Sequence, residues 1–142
     1  EKILLSAGKN VGLIGTVLFR HTVKGKATTI ESTHTTPGPL ELQKLLGEMR
    51  AAGCDTVVME VSSHALKQRR VDGVAFDRGL FLNLSPEHLD YHPSMEDYLA
   101  SKRLLFTRAL HEGKARGKRV LGLINQDSKD GAALLTSLHE SD

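Results

Sequence analysis

Thr56-Val57-Val58-Met59 is a short β-branched and apolar run, opened by Gly53 and Asp55 and closed by a polar cluster that begins at Glu60. A run of this length and composition predicts a buried strand. The cluster behind it, Glu60-Val61-Ser62-Ser63-His64, sets a carboxylate, two hydroxyls and an imidazole in five residues. In open α/β sheets ligands bind beyond the carboxyl ends of the strands, so chemistry is expected here. The plainer alternative is that Ser62 or Ser63 caps the next helix and Glu60 is solvated.

The rest of the chain alternates between strand and helix patterns around this run. Ile3, Leu4 and Leu5 before Gly8 read as the last turns of a helix with a glycine cap, as if the chain were cut from something longer. Val11 to Val17 predicts a glycine-containing strand, and the polar, alternating Lys26 to Thr33 another. The prolines and glycine of His34-Thr35-Thr36-Pro37-Gly38-Pro39 predict a loop. Pro39 then opens a helix, Leu40 to Ala52, whose Leu42, Leu45, Leu46 and Met49 share one face. Gly79 to Leu84 predicts a second buried strand, followed by a loop with Glu87, His88, Asp90 and His92. Ser94 and Asp97 form a capping box for a helix running to about Leu110, with Tyr98, Leu105 and Ala109 inward. Arg119 to Asn125 predicts a strand and Asp127 to Leu138 a helix. Strands alternating with helices define an α/β protein with a mostly parallel sheet.

Composition excludes several classes. The 19 basic and 17 acidic side chains nearly cancel, so bulk charge points to no nucleic-acid or membrane partner. No stretch approaches the ~20 apolar residues of a membrane span. The single cysteine, Cys54, precludes an intrachain disulfide and fits a reducing cytoplasm. At 142 residues one domain is expected, residues 1–142.

Three predicted strand ends carry polar residues: Glu60 to His64, Asn83 to His92, and Asn125-Gln126-Asp127. In a parallel sheet such ends share one edge. Glu60, His88 and Asp90 offer hard oxygen and imidazole donors that suit magnesium or manganese. His88 is equally read as a surface histidine bonding a carbonyl. Thr35 and Thr36 either hold a phosphate through hydroxyls and backbone N–H groups or are ordinary turn residues. Lys102, eight residues beyond Ser94 and among Leu99, Leu105 and Phe106, is by periodicity alone an exposed lysine with a snorkelling stem.

Glu60-Val61-Ser62-Ser63-His64, Asn83-Leu84-Ser85-Pro86-Glu87-His88-Leu89-Asp90-Tyr91-His92 and Tyr98-Leu99-Ala100-Ser101-Lys102, in this order and spacing, resemble the central domain of the Mur ligases. Within that family they are most similar to the branch that makes UDP-N-acetylmuramoyl-tripeptide for peptidoglycan. Thr35-Thr36-Pro37 resembles the nucleotide-sugar loop, and Asn125 and Asp127 the adenine-side Asn-x-Asp. The resemblance implies a three-layer α/β domain, truncated at its N-terminus. It also implies ATP-driven amide formation, in which a substrate carboxylate attacks the γ-phosphate and an amine displaces phosphate from the acyl phosphate.

By the same resemblance Glu60 holds the magnesium at the ATP phosphates, Lys102 is the lysine that carbon dioxide carbamylates into a magnesium ligand, and His88 completes that second magnesium site. Thr35, Thr36, Ser62, Gln68 and Arg70 match positions that hold UDP-N-acetylmuramoyl-L-alanyl-D-glutamate, and the amino acid added is diaminopimelate or lysine. Related amide ligases acting on folylpolyglutamate or cyanophycin, and a non-catalytic metal- or nucleotide-binding module, are the alternatives. His34 departs from the asparagine frequent in the family. The glycine-rich Gly-Lys-Thr loop is missing, so these residues alone are expected to be inactive, and either to oligomerise through an uncovered sheet edge or to be partly disordered at Glu1 to Asn10.

Overall fold

The computed structural model describes residues 1–32 and 34–140. They form two compact units, the first made of residues 1–65 and 69–71, the second of residues 66–68 and 72–142.

The first unit opens with helix α1, Lys2–Ser6, and strands β1, Val11–Ile14, β2, Leu18–Val23, and β3, Lys26–Glu31. Helix α2, Pro39–Ala52, and strand β4, Thr56–Met59, follow. One sheet holds all four strands in the order β3-β2-β1-β4. β4 joins β1 in parallel, whereas β1–β2 and β2–β3 are antiparallel. Where a single strand from Val11 to Val17 is predicted, the chain leaves β1 after Ile14 and returns as β2. The β2–β3 hairpin explains the antiparallel half of the sheet. Lys24 and Gly25 both have positive φ, 48° and 77°, so a two-residue turn sets Val23 opposite Lys26. That backbone matches the twist of the flanking strands, and glycine reaches it without steric cost.

Pro39 fills the first turn of α2, as the sequence predicts, and Gly53 ends it at φ +99°. The Gly53 and Cys54 N–H groups return to the carbonyls of Arg50 and Met49 at 3.0 and 2.9 Å. This satisfies acceptors that a helix end otherwise leaves bare. Leu42, Leu45 and Met49 are buried from α2, alongside Val11, Ile14 and Phe19 of the sheet. Thr56 to Met59 are half-buried, not the fully buried strand expected.

Helix α3, Ser63–Lys67, is followed in the second unit by strand β5, Arg78–Phe81, and helix α4, Met95–Leu104. A π-helical turn, Leu105–Ala109, helix α5, Leu110–Ala115, strand β6, Leu121–Ile124, and helix α6, Lys129–His139, complete it. β5 and β6 pair in parallel, with Gly79 opposite Gly122 and Leu80 opposite Leu123. The two glycines mark the covered face. A Cβ at Gly122 would meet Phe106 at 2.9 Å, and one at Gly79 would meet Leu110 and Leu105 at 3.1 and 3.2 Å. The π-helical turn and α5 therefore pack tightly on this sheet: a side chain at 122 would force Phe106 to shift, and one at 79 would make Leu105 and Leu110 give by a few tenths of an ångström. The opposite face is bare: Leu80, Leu82, Leu121 and Leu123 are 57, 68, 48 and 48% exposed. β5 is thus buried on one side only, at Gly79 and Phe81, where burial throughout is predicted.

The strand ends that a single parallel sheet would set on one edge lie in two sheets. β4 belongs to the first unit and β5 and β6 to the second, because β4 bonds only to β1 in the strand order. Among the described residues no helix is long and apolar enough to cross a membrane.

Candidate functional site

In the first unit the parallel register pairs Ile14 with Met59, and the Glu60 N–H continues it to the Ile14 carbonyl at 2.9 Å. Residues just past both strands are therefore neighbours. Thr16 donates to Glu60 Oε2 twice, from its N–H at 3.1 Å and from its hydroxyl at 2.6 Å. Its Oγ1 also lies 3.1 Å from Thr35 Oγ1. Thr36 is buried, donates to the Glu60 carbonyl at 3.0 Å and accepts from the Ser62 N–H at 3.0 Å. Arg70 Nη1 donates to the Thr36 carbonyl at 3.1 Å. Ser62 Oγ accepts from the Ala65 N–H at 3.1 Å, the capping bond weighed above as the plainer reading. Five predicted residues, Thr35, Thr36, Glu60, Ser62 and Arg70, are thus gathered on one loop and strand end. Thr16 is missed by sequence reasoning; its signal is a polar side chain directly after an apolar strand.

The second unit holds Gln68, His88, Lys102, Asn125 and Asp127. Two of these, His88 and Lys102, meet the buried ring of Tyr98. His88 meets its ring edge-on with centroids 5.9 Å apart, and the Lys102 ammonium lies 5.0 Å from its centroid. Burial lowers the Lys102 pKa from the ordinary lysine value, against a smaller opposing pull from Glu87. Lys102 is therefore half-buried over an aromatic face, not the exposed lysine that periodicity suggests. Burial first, and Glu87 second, raise the Tyr98 pKa. His88 has a left-handed backbone, φ 60°, and its carbonyl accepts from the N–H groups of Tyr91 and His92 at 3.1 and 2.8 Å.

His92 is fully buried and stacks on Tyr98 with centroids 4.9 Å apart. Asp97 braces it. The Asp97 N–H does bond Ser94 Oγ at 3.2 Å, but its carboxylate turns to Lys67 and to His92 Nδ1 instead of closing the predicted capping box. These partners, Lys67 foremost, hold the Asp97 pKa below the ordinary carboxylate value. Gln68 Nε2 donates to the Tyr91 hydroxyl at 3.2 Å. Asn125 ties its own turn to the end of β5: its Nδ2 donates to the Leu82 carbonyl at 3.1 Å and its Oδ1 accepts from the Asp127 N–H at 3.1 Å.

Among the described residues no group of three or more His, Cys, Asp or Glu is arranged to hold a metal ion. Glu60, His88 and Asp90, the hard donors singled out in the sequence, therefore form no such group. Lys102, the further ligand that the resemblance implies, becomes a donor to a cation only after gaining a carboxylate. The lowered pKa favours the neutral amine that such a reaction requires.

The Mur ligase middle domain matches residues 1–142. The chain belongs to this family. It is 45% identical over 134 residues to a Geobacter metallireducens protein named UDP-N-acetylmuramoyl-L-alanyl-D-glutamate--2,6-diaminopimelate ligase, covering 94% of this chain and 25% of that one. An Aquifex aeolicus protein of the same name is 45% identical over 139 residues, covering 98% and 26%. A solved structure of a ligase with that name superposes with a TM-score of 0.76 at 25% identity, over 98% of this chain and 26% of the other. The chain thus spans about a quarter of the length of the relatives it matches.

Proposed function

We propose that these residues form part of the central domain of a cytoplasmic, ATP-dependent ligase that joins diaminopimelate to UDP-N-acetylmuramoyl-L-alanyl-D-glutamate. The observation that carries this reading is the 45% identity to ligases so named over nearly the whole chain. It is supported by the Thr16, Thr35, Thr36, Glu60, Ser62 and Arg70 cluster at one strand end.

In this reading Thr35, Thr36, Ser62, Gln68 and Arg70 hold the UDP-muramoyl-dipeptide. Arg70 suits its anionic groups through a planar, permanently charged fork. Asn125 and Asp127 meet the adenine side of ATP. Glu60 would hold one magnesium ion, and His88 with carbamylated Lys102 a second. Bound magnesium neutralises charge on the attacking carboxylate and the γ-phosphoryl group.

The chain's own contribution at Lys102 is to keep the amine neutral and placed. Its Nζ forms a bond to the carbon of carbon dioxide and sheds one proton, leaving an N-carboxylate. The Tyr98 ring faces the Lys102 ammonium, and Thr16 holds the Glu60 carboxylate on its own side.

The test uses the full-length protein. Lys102→Ala is expected to abolish ligation of diaminopimelate, and added acetate to restore part of it. Near-normal turnover by Lys102→Ala or Lys102→Arg would refute the carbamate role.

A further inference from the structure

We propose that Thr16 is a positioning residue that ties the carboxylate of Glu60 to the substrate loop at Thr35, through a hydrogen-bond chain of fixed direction. The proposal deepens the reading above and rests on Glu60 being a metal ligand.

The direction follows from proton counting. A hydroxyl carries one proton and a carboxylate none, so the 2.6 Å bond between Thr16 Oγ1 and Glu60 Oε2 consumes the Thr16 proton. The 3.1 Å contact between Thr16 Oγ1 and Thr35 Oγ1 must then run the other way, with Thr35 donating. The chain reads Thr35 to Thr16 to Glu60. Thr35 has spent its only proton inward, so it meets a ligand with lone pairs alone. It accepts from a sugar hydroxyl or an amide N–H of the UDP-muramoyl-dipeptide, and it does not donate to a phosphate oxygen.

At the other end, both Thr16 bonds fall on the same oxygen of Glu60. This fixes the rotamer of a long, flexible side chain and leaves Oε1 as the oxygen free to take a cation. Gly15 lies beside that oxygen, where a Cβ would make only ordinary van der Waals contact at 3.4 Å. Charge-assisted bonds of this kind are roughly twice as strong as neutral ones. The anchor itself is rigid, because the paired strand ends at Ile14 and Met59 set the separation of Thr16 and Glu60. One exposed hydroxyl thereby links the metal side and the substrate side of the site.

The experiment measures binding in the full-length protein. Manganese affinity is read by calorimetry in the presence of a non-hydrolysable ATP analogue, and UDP-muramoyl-dipeptide affinity is read separately in chelator. Thr16→Val keeps the shape and removes the hydroxyl. It is expected to weaken manganese binding about tenfold or more, the usual loss when a ligand's outer partner is removed. It is also expected to weaken dipeptide binding without metal, because the Thr35 hydroxyl loses its acceptor. Thr16→Ser should restore both.

If Thr16→Val leaves either affinity unchanged, or Thr16→Ser is as weak as Thr16→Val, the proposal fails. Glu60→Gln separates the two ideas: unchanged manganese binding there sinks the metal role of Glu60 itself. A loss in Glu60→Gln without a loss in Thr16→Val sinks only the role of Thr16. Should Thr16→Val not fold, Thr35→Val decides, since it leaves both Thr16 bonds to Glu60 intact. It is expected to weaken dipeptide binding and spare manganese; any other pattern overturns the chain.

Discussion

Asp97 Oδ2 lies 2.7 Å from Nδ1 of His92, a ring with none of its side chain exposed, and the same carboxylate takes the Lys67 ammonium at 2.6 Å. Asp97 thus braces a buried imidazole against Lys67. Its pKa is held below the ordinary 3.8. A depressed carboxylate pKa stabilises the fold fully above the unfolded value and loses that contribution as pH falls through the folded one. Asp97→Asn is therefore expected to be less stable than the unsubstituted chain at pH 7, with the gap closing below about pH 3.8. Urea unfolding at several pH values checks it, and a gap independent of pH would count against it.

Thr36 bridges the Glu60 carbonyl and the Ser62 N–H while almost wholly buried. Thr36→Val keeps the volume but strands one acceptor and one donor, which costs about 1–3 kcal/mol for each group left unpaired. Thr36→Ser should lose far less. Denaturant midpoints of the two variants give the comparison.

Two glycine substitutions should act in opposite directions. A Cβ at Gly131 would collide with the Asn125 carbonyl oxygen in the first turn of α6, so Gly131→Ala is expected to yield little folded protein. Gly47 lies inside α2 with open space around it, so Gly47→Ala should stabilise by about 0.5–1 kcal/mol. Thermal unfolding distinguishes the two.

The bare leucines of β5 and β6 form an apolar strip on one sheet face. Strips of this kind drive association. Light scattering of the 142-residue chain is expected to show concentration-dependent oligomers, and Leu80→Lys with Leu123→Glu to suppress them. Equal size distributions for the two proteins would refute a role for this face.

The 142 residues contain no Gly-Lys-Thr or Gly-Lys-Ser, so they lack the backbone cradle that phosphates need. The chain by itself is expected to turn over no ATP with magnesium. Phosphate release above that of buffer would overturn the expectation.

Much of this was legible because local signals and tertiary fold agree. The Leu42, Leu45 and Met49 stripe, Pro39 at the helix start and Gly53 at its end all specify α2 from within residues 39–53, so no distant contact is needed. β2 escaped notice because Leu18 to Val23 mixes apolar and polar residues, and its identity depends on the Lys24-Gly25 turn that pairs it with β3. Glu60 could be read as chemically interesting, yet not as anchored, since its partner Thr16 lies 44 residues earlier and arrives only through the β1–β4 pairing. Lys102 was hidden for another reason. Its environment comes from Tyr98, one turn away, whose burial in turn depends on a stacked His92 that periodicity does not weigh.

The π-helical turn at Leu105–Ala109 works as a phase adjuster. A π turn accommodates one residue more than an α turn, and each residue of an α-helix advances the face by about 100°. The stretch carrying Tyr98 and Lys102 and the stretch carrying Leu110 are therefore indexed separately, although they form one continuous rod of chain. Deleting a single residue from the turn would leave an ordinary α turn, with Lys102 still aimed as before relative to the side chains that seat on Gly79 and Gly122. Deleting one from the α-helical stretch between Lys102 and the turn would instead swing the lysine by about a quarter revolution.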